Sequence, residues 1–303
     1  MFMKTNKCIA AFLTAIILCA GQAEVAFAAV GPRCDTPLMA EGVSAPGTLA
    51  ERNEQAVIDY SNTGDGYVMV NYTASTGSRL KAQVTGPSAT YTYNLTPGVW
   101  ATFPLSQGNG GYKVSVFQNI EGAKYATVLS ASFNVTLSSE LAPFLRPNQY
   151  VDYGGAANTI AKAAELTSGV TDTLGKVEKI YTFVVGHLTY DTQKAQTVQS
   201  GYLPVLDSVL ASGKGICFDY AALMTGMLRS QGIPCKLVVG YAGTAYHAWI
   251  SVWTEAGWIN DVIYFDGTTW HRMDPTFASA NGSSSAIMDY IGNGSNYTVK
   301  YLY

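Results

Sequence analysis

Residues 213–241 read GKGICFDYAALMTGMLRSQGIPCKLVVGY, and the pattern changes twice along them. Gly213 and Gly215 break the chain. Cys217, Tyr220, Ala221, Met224, Met227 and Leu228 then recur at three- and four-residue steps, the apolar stripe of a helix. Gly232 and Pro234 stop that helix, and Lys236–Tyr241 reads as a strand. A cysteine therefore opens a helix directly after a glycine turn. The unpaired N–H groups and partial positive charge of a helix N-terminus favour the thiolate, the nucleophilic form of the side chain. The glycines let the chain turn tightly and a substrate carbonyl approach, and the Cys217 N–H is available to a developing oxyanion. Such geometry suits acyl transfer.

Downstream, HAWISVW (247–253) and WHRMDPT (270–276) supply what a thiol needs. His247, Trp249, Ser251 and Trp253 share one strand face; Trp270, Arg272 and Asp274 share another. If these strands lie side by side, Asp274 bonds the His247 ring, and the imidazole is steered to exchange a proton with Cys217. Each residue alone has an ordinary explanation: a packing cysteine, a satisfied core histidine, a turn-forming aspartate before proline. Their conjunction in this order is what points to catalysis. Further strands are expected at Trp258–Ile263, Thr269–Asp274 and Tyr297–Leu302. Upstream, Leu174, Val177, Ile180, Tyr181, Val184 and Leu188 mark one helix, 156–167 a weaker one and 203–211 a short one. Helices followed by an antiparallel sheet form an α+β layout.

From 66 to 137 the period is two instead. Val68, Val70 and Tyr72, then Leu80, Ala82 and Val84, then Tyr112, Val114 and Val116 alternate with smaller or polar neighbours; Leu129, Ala131, Phe133, Val135 and Leu137 form the clearest run. Gly, Pro and Asn clusters separate these runs, which predicts an all-β, Ig-like sandwich over 35–140. Leu141–Pro147, with two prolines, reads as a seam before a second domain at 150–303. Residues 1–28 have the form of a secretory signal peptide: Lys4 and Lys7, an apolar run from Cys8 to Ala20, and Ala26-Phe27-Ala28 for cleavage. The protein is therefore expected to be secreted or cell-surface, with no membrane association once the signal is removed. The chain has 303 residues, 48% of them hydrophobic and 13% charged, with net charge −3. That composition provides a core, excludes intrinsic disorder and disfavours nucleic acid as a partner. Without the leader, Cys34, Cys217 and Cys235 remain, an odd number that leaves at least one thiol unpaired or intermolecular.

The string 213–241, followed by HAWISVW and MDPTFA, resembles the core of the transglutaminase-like superfamily, relatives of the papain fold. The family pattern falls on Gly215 to Cys217, Gly232 to Pro234, His247 to Trp249 and Asp274 to Thr276, and IYTFVVGHLTYD (180–191) is similar to the family's preceding helix and Tyr-Asp motif. The resemblance runs from near residue 150 onward. It implies a papain-like α+β catalytic domain, joined here to an Ig-like sandwich as in secreted bacterial members, with a Cys217, His247, Asp274 triad and no cofactor. It departs from many relatives at Thr254–Ile263, where an added Trp-bearing segment separates the His and Asp strands.

Of the two acyl acceptors, water is the expected one, making the chain a cysteine peptidase or amidase acting on a peptide or protein, with a cell-wall or surface protein among the partners. The alternatives are a protein-glutamine cross-linking transglutaminase and a catalytically silent binding or scaffold protein. Tyr190 is the candidate oxyanion donor and Trp249 a candidate substrate contact. Cys235 reads as a small core residue, although a Cys34–Cys235 disulfide is open on sequence alone, and His271 reads as structural. Three histidines without clustered ligands give no zinc pattern, and no EF-hand loop is present.

Overall fold

Alternation becomes a strand with one face in a core and one toward water, and the amino-terminal part follows that rule closely. A computed structural model describes residues 42–255, 257–260, 263–265, 270–272 and 296–303. The leader, Cys34 and Asp274 lie outside the described residues. Eight strands come first: β1 (Ala50–Arg52), β2 (Ala56–Asp59), β3 (Tyr67–Tyr72), β4 (Leu80–Thr85), β5 (Thr90–Leu95), β6 (Ala101–Pro104), β7 (Gly110–Glu121) and β8 (Lys124–Val135). They make two antiparallel four-stranded sheets, ordered β1-β2-β3-β6 and β5-β4-β7-β8. Leu80, Ala82 and Val84 of β4 and Tyr112, Val114 and Val116 of β7 are buried, as the spacing predicts. They meet Ile58, Val70 and Phe103 of the first sheet in one core. Tyr60 stacks on Phe133 with ring centroids 4.8 Å apart. β3 departs from simple alternation: all six of its residues are buried. The sheet also begins earlier than the period-two signal, because β1 and β2 are too short to display a period.

The seam at 141–147 is packed: Ala142, Pro143 and Phe144 are buried. Beyond it come α1 (Ala157–Thr167), α2 (Thr173–His187), β9 (Thr189–Tyr190), α3 (Thr192–Thr197), α4 (Leu206–Ser212), β10 (Lys214–Gly215) and α5 (Cys217–Ser230). These are followed by β11 (Cys235–Ala242), β12 (Ala245–Thr254), β13 (Gly257–Asn260), β14 (Ile263–Phe265), β15 (Trp270–Arg272) and β16 (Tyr297–Leu302). α2 starts where its pattern predicts, capped by the Asp172 carboxylate accepting from the Gly175 N–H at 2.7 Å. α5 is the central element, with every residue from Asp219 to Ser230 buried. It packs on β11 and β12 on one side and on α1, α2 and α4 on the other. Its single apolar stripe understates this burial, because the polar residues Asp219, Thr225, Arg229 and Ser230 are enclosed as well and satisfied by hydrogen bonds or an ion pair.

The carboxy-terminal sheet is antiparallel, ordered β13-β12-β11-β16. Gly240 of β11 is required there: a Cβ would lie 2.0 Å from the Thr298 carbonyl oxygen of β16 and 2.9 Å from the Trp249 ring. Arg229, 2% exposed at the end of α5, ties the layers together through backbone carbonyls. It donates to Cys235 O at 2.9 and 2.7 Å, to Arg146 O at 2.7 Å and to Tyr303 O at 2.7 Å. Among the described residues no helix is long and apolar enough to cross a membrane.

Candidate active site

The position of Cys217, the candidate nucleophile, is set by the turn into α5. A Cβ on Gly215 would sit 2.6 Å from the Asp219 Cβ, so this entry admits only glycine. The Asp219 carboxylate reaches back to accept the Ile216 N–H at 2.8 Å, closing the first turn over Cys217. The N–H groups of Cys217 and Phe218 have no acceptor among the described residues, as expected for the first helical positions. β9 and β10 pair in parallel, Tyr190 opposite Gly215, so Tyr190 is held beside the turn. The Tyr220 hydroxyl braces this arrangement from below by donating to Leu188 O at 2.8 Å.

Asp219 is wholly buried. Its countercharge comes from α3, whose Lys194 Nζ lies 2.6 Å away. Lys194 Nζ also donates to the Tyr202 hydroxyl at 2.6 Å, and that hydroxyl in turn donates to Asp219. α3 itself is capped by Asp191, which accepts the Lys194 N–H at 2.8 Å. A carboxylate two residues from the sulfur is thereby neutralised, and the segment after α3 is tied to the helix that carries Cys217.

The histidine arrives from the sheet. In the β11–β12 pairing His247 faces Gly240 and Trp249 faces Val238. The Trp249 indole stacks near-parallel to the imidazole, centroids 6.2 Å apart at 21°, and is itself wedged edge-on against Tyr297 at 5.2 Å. Cys217 and His247 line one cleft of about 580 Å³, together with Tyr190, Phe218 and the tyrosines Tyr150, Tyr202, Tyr246 and Tyr303. Cys217 is partly exposed and His247 nearly buried. Burial pushes the Tyr150 hydroxyl up to about 12. Burial also raises Tyr246, with further contributions from Tyr301, Tyr241 and Cys217, the last marking the proximity of its hydroxyl to the sulfur.

The structure thus brings Cys217, His247 and Tyr190 together. Trp249, expected as a substrate contact, is 2% exposed and not among the residues lining the cleft; it backs the imidazole instead. The expected pairing of the His and Asp strands is corrected: β12 lies between β11 and β13, while β15 pairs with β14. The Trp-bearing segment supplies β13, which occupies the edge of β12 away from β11. Trp258–Ile263 is accordingly not one strand but falls into β13 and the start of β14, on different sheets. Asp274 lies outside the described residues. Cys235 is a fully buried free thiol 3.5 Å from Thr225 Oγ1, while Cys34, the partner left open on sequence, lies outside the described residues. His187 is turned to the Leu210 carbonyl, with 2.7 Å from Nε2 to O. Sequence reasoning missed Asp219, Lys194 and Tyr202, and α3 with them. The available signals were an acidic residue inside an otherwise apolar helix face and an aspartate three residues before Lys194, where an N-cap would stand.

Residues 160–275 match the model of the Transglutaminase-like superfamily. No curated protein matches the chain. Solved structures resemble it at low identity, three of them as follows. A "Putative Cysteine Protease from Cytophaga hutchinsonii" is 14% identical, with 84% of this chain and 81% of that one covered and a TM-score of 0.35. The periplasmic domain of TgpA from Pseudomonas aeruginosa, bound to ethylmercury, is 17% identical over 79% and 78%, TM-score 0.36. Red sea bream transglutaminase is 14% identical over 75% and 53%, TM-score 0.30.

Proposed function

We propose that the transglutaminase-like region of this chain is a thiol enzyme, exported from the cell, that cleaves peptide or amide bonds through Cys217, His247 and Asp274. The observation that carries this reading is that Cys217, at the start of α5, and His247, on β12, open onto the same cleft. In the first half-reaction the Cys217 thiolate attacks the amide carbonyl carbon, and the oxyanion is held by the Cys217 and Phe218 N–H groups with Tyr190 alongside. The imidazolium of His247 gives its proton to the leaving amine, and a thioester remains on Cys217. In the second half-reaction His247 takes a proton from water, the hydroxide attacks the thioester, and the carboxylic acid leaves as the thiolate is restored. Trp249 holds the ring plane, and Asp274 is assigned the role of fixing the ring tautomer.

Water is the proposed acceptor because it is the default acceptor for a thioester open to solvent, and no residue in the sequence marks a site for a second amine. The sandwich, read as Ig-like, serves as a scaffold, and an extracytoplasmic peptide or protein, cell-wall or surface proteins included, is the proposed substrate. The test is turnover on a peptide panel by wild type and Cys217→Ala. The variant is expected to lose turnover by ~10³ or more, and iodoacetamide is expected to modify Cys217 in wild type faster than it modifies a free model thiol. A few-fold loss, or a thiol no more reactive than the model compound, would refute the assignment. Incorporation of a labelled amine into a glutamine-containing protein in preference to hydrolysis would move the reading to cross-linking.

A further inference from the structure

Tyr246 lines the same space as Cys217 and is 62% exposed, whereas Tyr150, Tyr190, Tyr202, Phe218 and Tyr303 around it are half-buried or buried. It stands at the mouth. Its mounting is rigid: in the β11–β12 pairing it faces Tyr241, and the two rings meet at 5.5 Å and 66°. Lys300 Nζ of β16 lies over the Tyr241 ring, 5.5 Å from its centroid. The turn between the strands is pinned too. Gly243 takes φ +59°, the left-handed conformation that favours glycine, and its N–H donates to Asn296 O at 2.7 Å. The Tyr246 hydroxyl lies within electrostatic reach of the Cys217 sulfur, and the Tyr150 and Tyr303 hydroxyls sense it in turn. Burial first, then Tyr301, Tyr241 and Cys217, raises its pKa, so at neutral pH the phenol is protonated and can donate.

We infer that Tyr246 is a substrate-binding residue: its hydroxyl donates a hydrogen bond to a main-chain carbonyl of the peptide held over Cys217, a carbonyl next to the scissile one. The inference rests on the thiol-enzyme reading and names the part of the substrate that the site holds. The scissile carbonyl has its own donors, the Cys217 and Phe218 N–H groups and Tyr190, but one anchor leaves the chain free to pivot about it. An extended peptide advances ~3.3–3.6 Å per residue, so a donor on the sheet side of the cleft, close to the sulfur, meets a neighbouring carbonyl rather than the one under attack. A phenol suits this work. It has two side-chain torsions to immobilise, an apolar face and a polar tip. Such a contact recognises the backbone around the scissile bond, whatever side chains flank it. If the ring only packs on Tyr241, phenylalanine serves equally well.

The experiment uses the full chain with Cys217→Ala, which binds without reacting, alone and with Tyr246→Phe. The probe is an end-blocked, fluorescein-labelled peptide, Ala-Ala-Leu-Gln-Gly-Ala-Ala, followed by fluorescence anisotropy. Loss of the hydroxyl should weaken binding about three- to tenfold, the worth of one hydrogen bond. In copies of the peptide whose amides are replaced one at a time by esters, which are weaker acceptors, one position should cost about threefold or more with Tyr246 in place. The same replacement should cost less than about twofold in the Tyr246→Phe protein. With Cys217 restored, Tyr246→Phe should raise KM by the binding factor and leave kcat within about twofold. Affinity unchanged within about twofold, ester costs that are the same in both proteins at every position, no binding of the peptide, or a fall in kcat at constant KM would each overturn the inference. Failure of iodoacetamide to modify wild-type Cys217 would instead refute the thiol-enzyme reading; the binding comparison is made without the sulfur and stands or falls by itself.

Discussion

Replacing Lys194 by Met removes the countercharge of a carboxylate that has no access to water. Asp219 is 0% exposed and the Lys194 side chain 27% exposed, with Nζ and Oδ2 at 2.6 Å. Deleting one partner of a fully buried pair costs about 3–5 kcal/mol. Here the loss is smaller, because the ammonium end is partly hydrated and the Tyr202 hydroxyl and Ile216 N–H still donate to the carboxylate. The expected destabilisation is about 2–3 kcal/mol, or a fall in Tm of about 4–12 °C for a chain of this size. Asp219→Asn should lose about 1–2 kcal/mol, since the amide keeps an acceptor for the Ile216 N–H and Lys194 can turn to water. With both changes no buried charge is left alone, so the double variant should sit near about 2 kcal/mol and the cycle should show a coupling of about 1–3 kcal/mol. Urea unfolding of the four proteins measures this. Because the pair also anchors the cleft wall, Lys194→Met should raise KM more than it lowers kcat. A Lys194→Met protein within about 0.5 kcal/mol of wild type, or additive single effects, would show that this pair does not secure the wall.

Arg229→Met takes the guanidinium donors from the Cys235 and Arg146 carbonyls, at about 1–3 kcal/mol each, and from Tyr303 O, which keeps the Leu237 N–H. Part of this is offset by release of a guanidinium whose burial lowers its pKa to about 10, so urea denaturation should show a net loss of about 2–4 kcal/mol; an unchanged midpoint would contradict the role assigned to it. Burial alone would raise the Asp207 carboxyl, but hydrogen bonds from Thr159 and Asn158 outweigh it and hold the group below the usual carboxylate range. Its contribution is therefore complete above the unfolded value of ~3.9 and is lost as pH falls through the folded one. Asp207→Asn should cost about 1 kcal/mol at neutral pH and flatten the acid limb of the stability profile, and parallel acid limbs in the two proteins would count against this. Burial pushes the Cys235 thiol up to about 11, so alkylation followed by peptide mapping should find Cys235 unmodified at neutral pH until the chain unfolds. Labelling of Cys235 in the native protein at the rate of Cys217 would contradict its burial.

What the sequence made legible were elements whose period is long enough to count. α2, α5, β4 and β7 repeat their apolar positions three or more times and are found where the spacing puts them. α3 is six residues with no buried side chain, so it has no apolar face to read, and only Asp191 as its cap signals it. β14 and β15 are three residues each and hold too few alternations to show which strand they pair with. Cys217 and His247, the proposed nucleophile and base, stood out because glycine before Cys217 and the run HAW both mark unusual local demands. Their surroundings were not. Tyr150, Tyr202 and Tyr303 are tyrosines among twenty, and nothing in their neighbours along the chain distinguishes a cleft wall from a core. Only the fold brings them to one place.

That fold makes the cleft a product of both halves of the chain. Tyr303, which follows β16, lines the cleft and lies edge-on to Tyr150 at 4.5 Å, while Tyr150 lies edge-on to Phe218 beside the nucleophile. The other side of the Tyr303 ring meets β5: Tyr91 at 5.5 Å and Tyr93 at 6.0 Å. Its backbone is fixed by exchange of hydrogen bonds with Leu237 and by Arg229, and the Leu302 N–H donates to the Tyr91 hydroxyl at 3.3 Å. The Gln149 amide adds a further tie by donating to the Asn94 carbonyl of β5 at 2.8 Å. A contiguous stack of rings thus runs from the sandwich to the residue after Cys217. Removing residues before 150 would take away the surface against which Tyr303 is packed and leave that ring and Tyr150 free to repack. The sandwich therefore bears on the proposed reaction through the shape of the cleft wall, whether or not it binds anything itself.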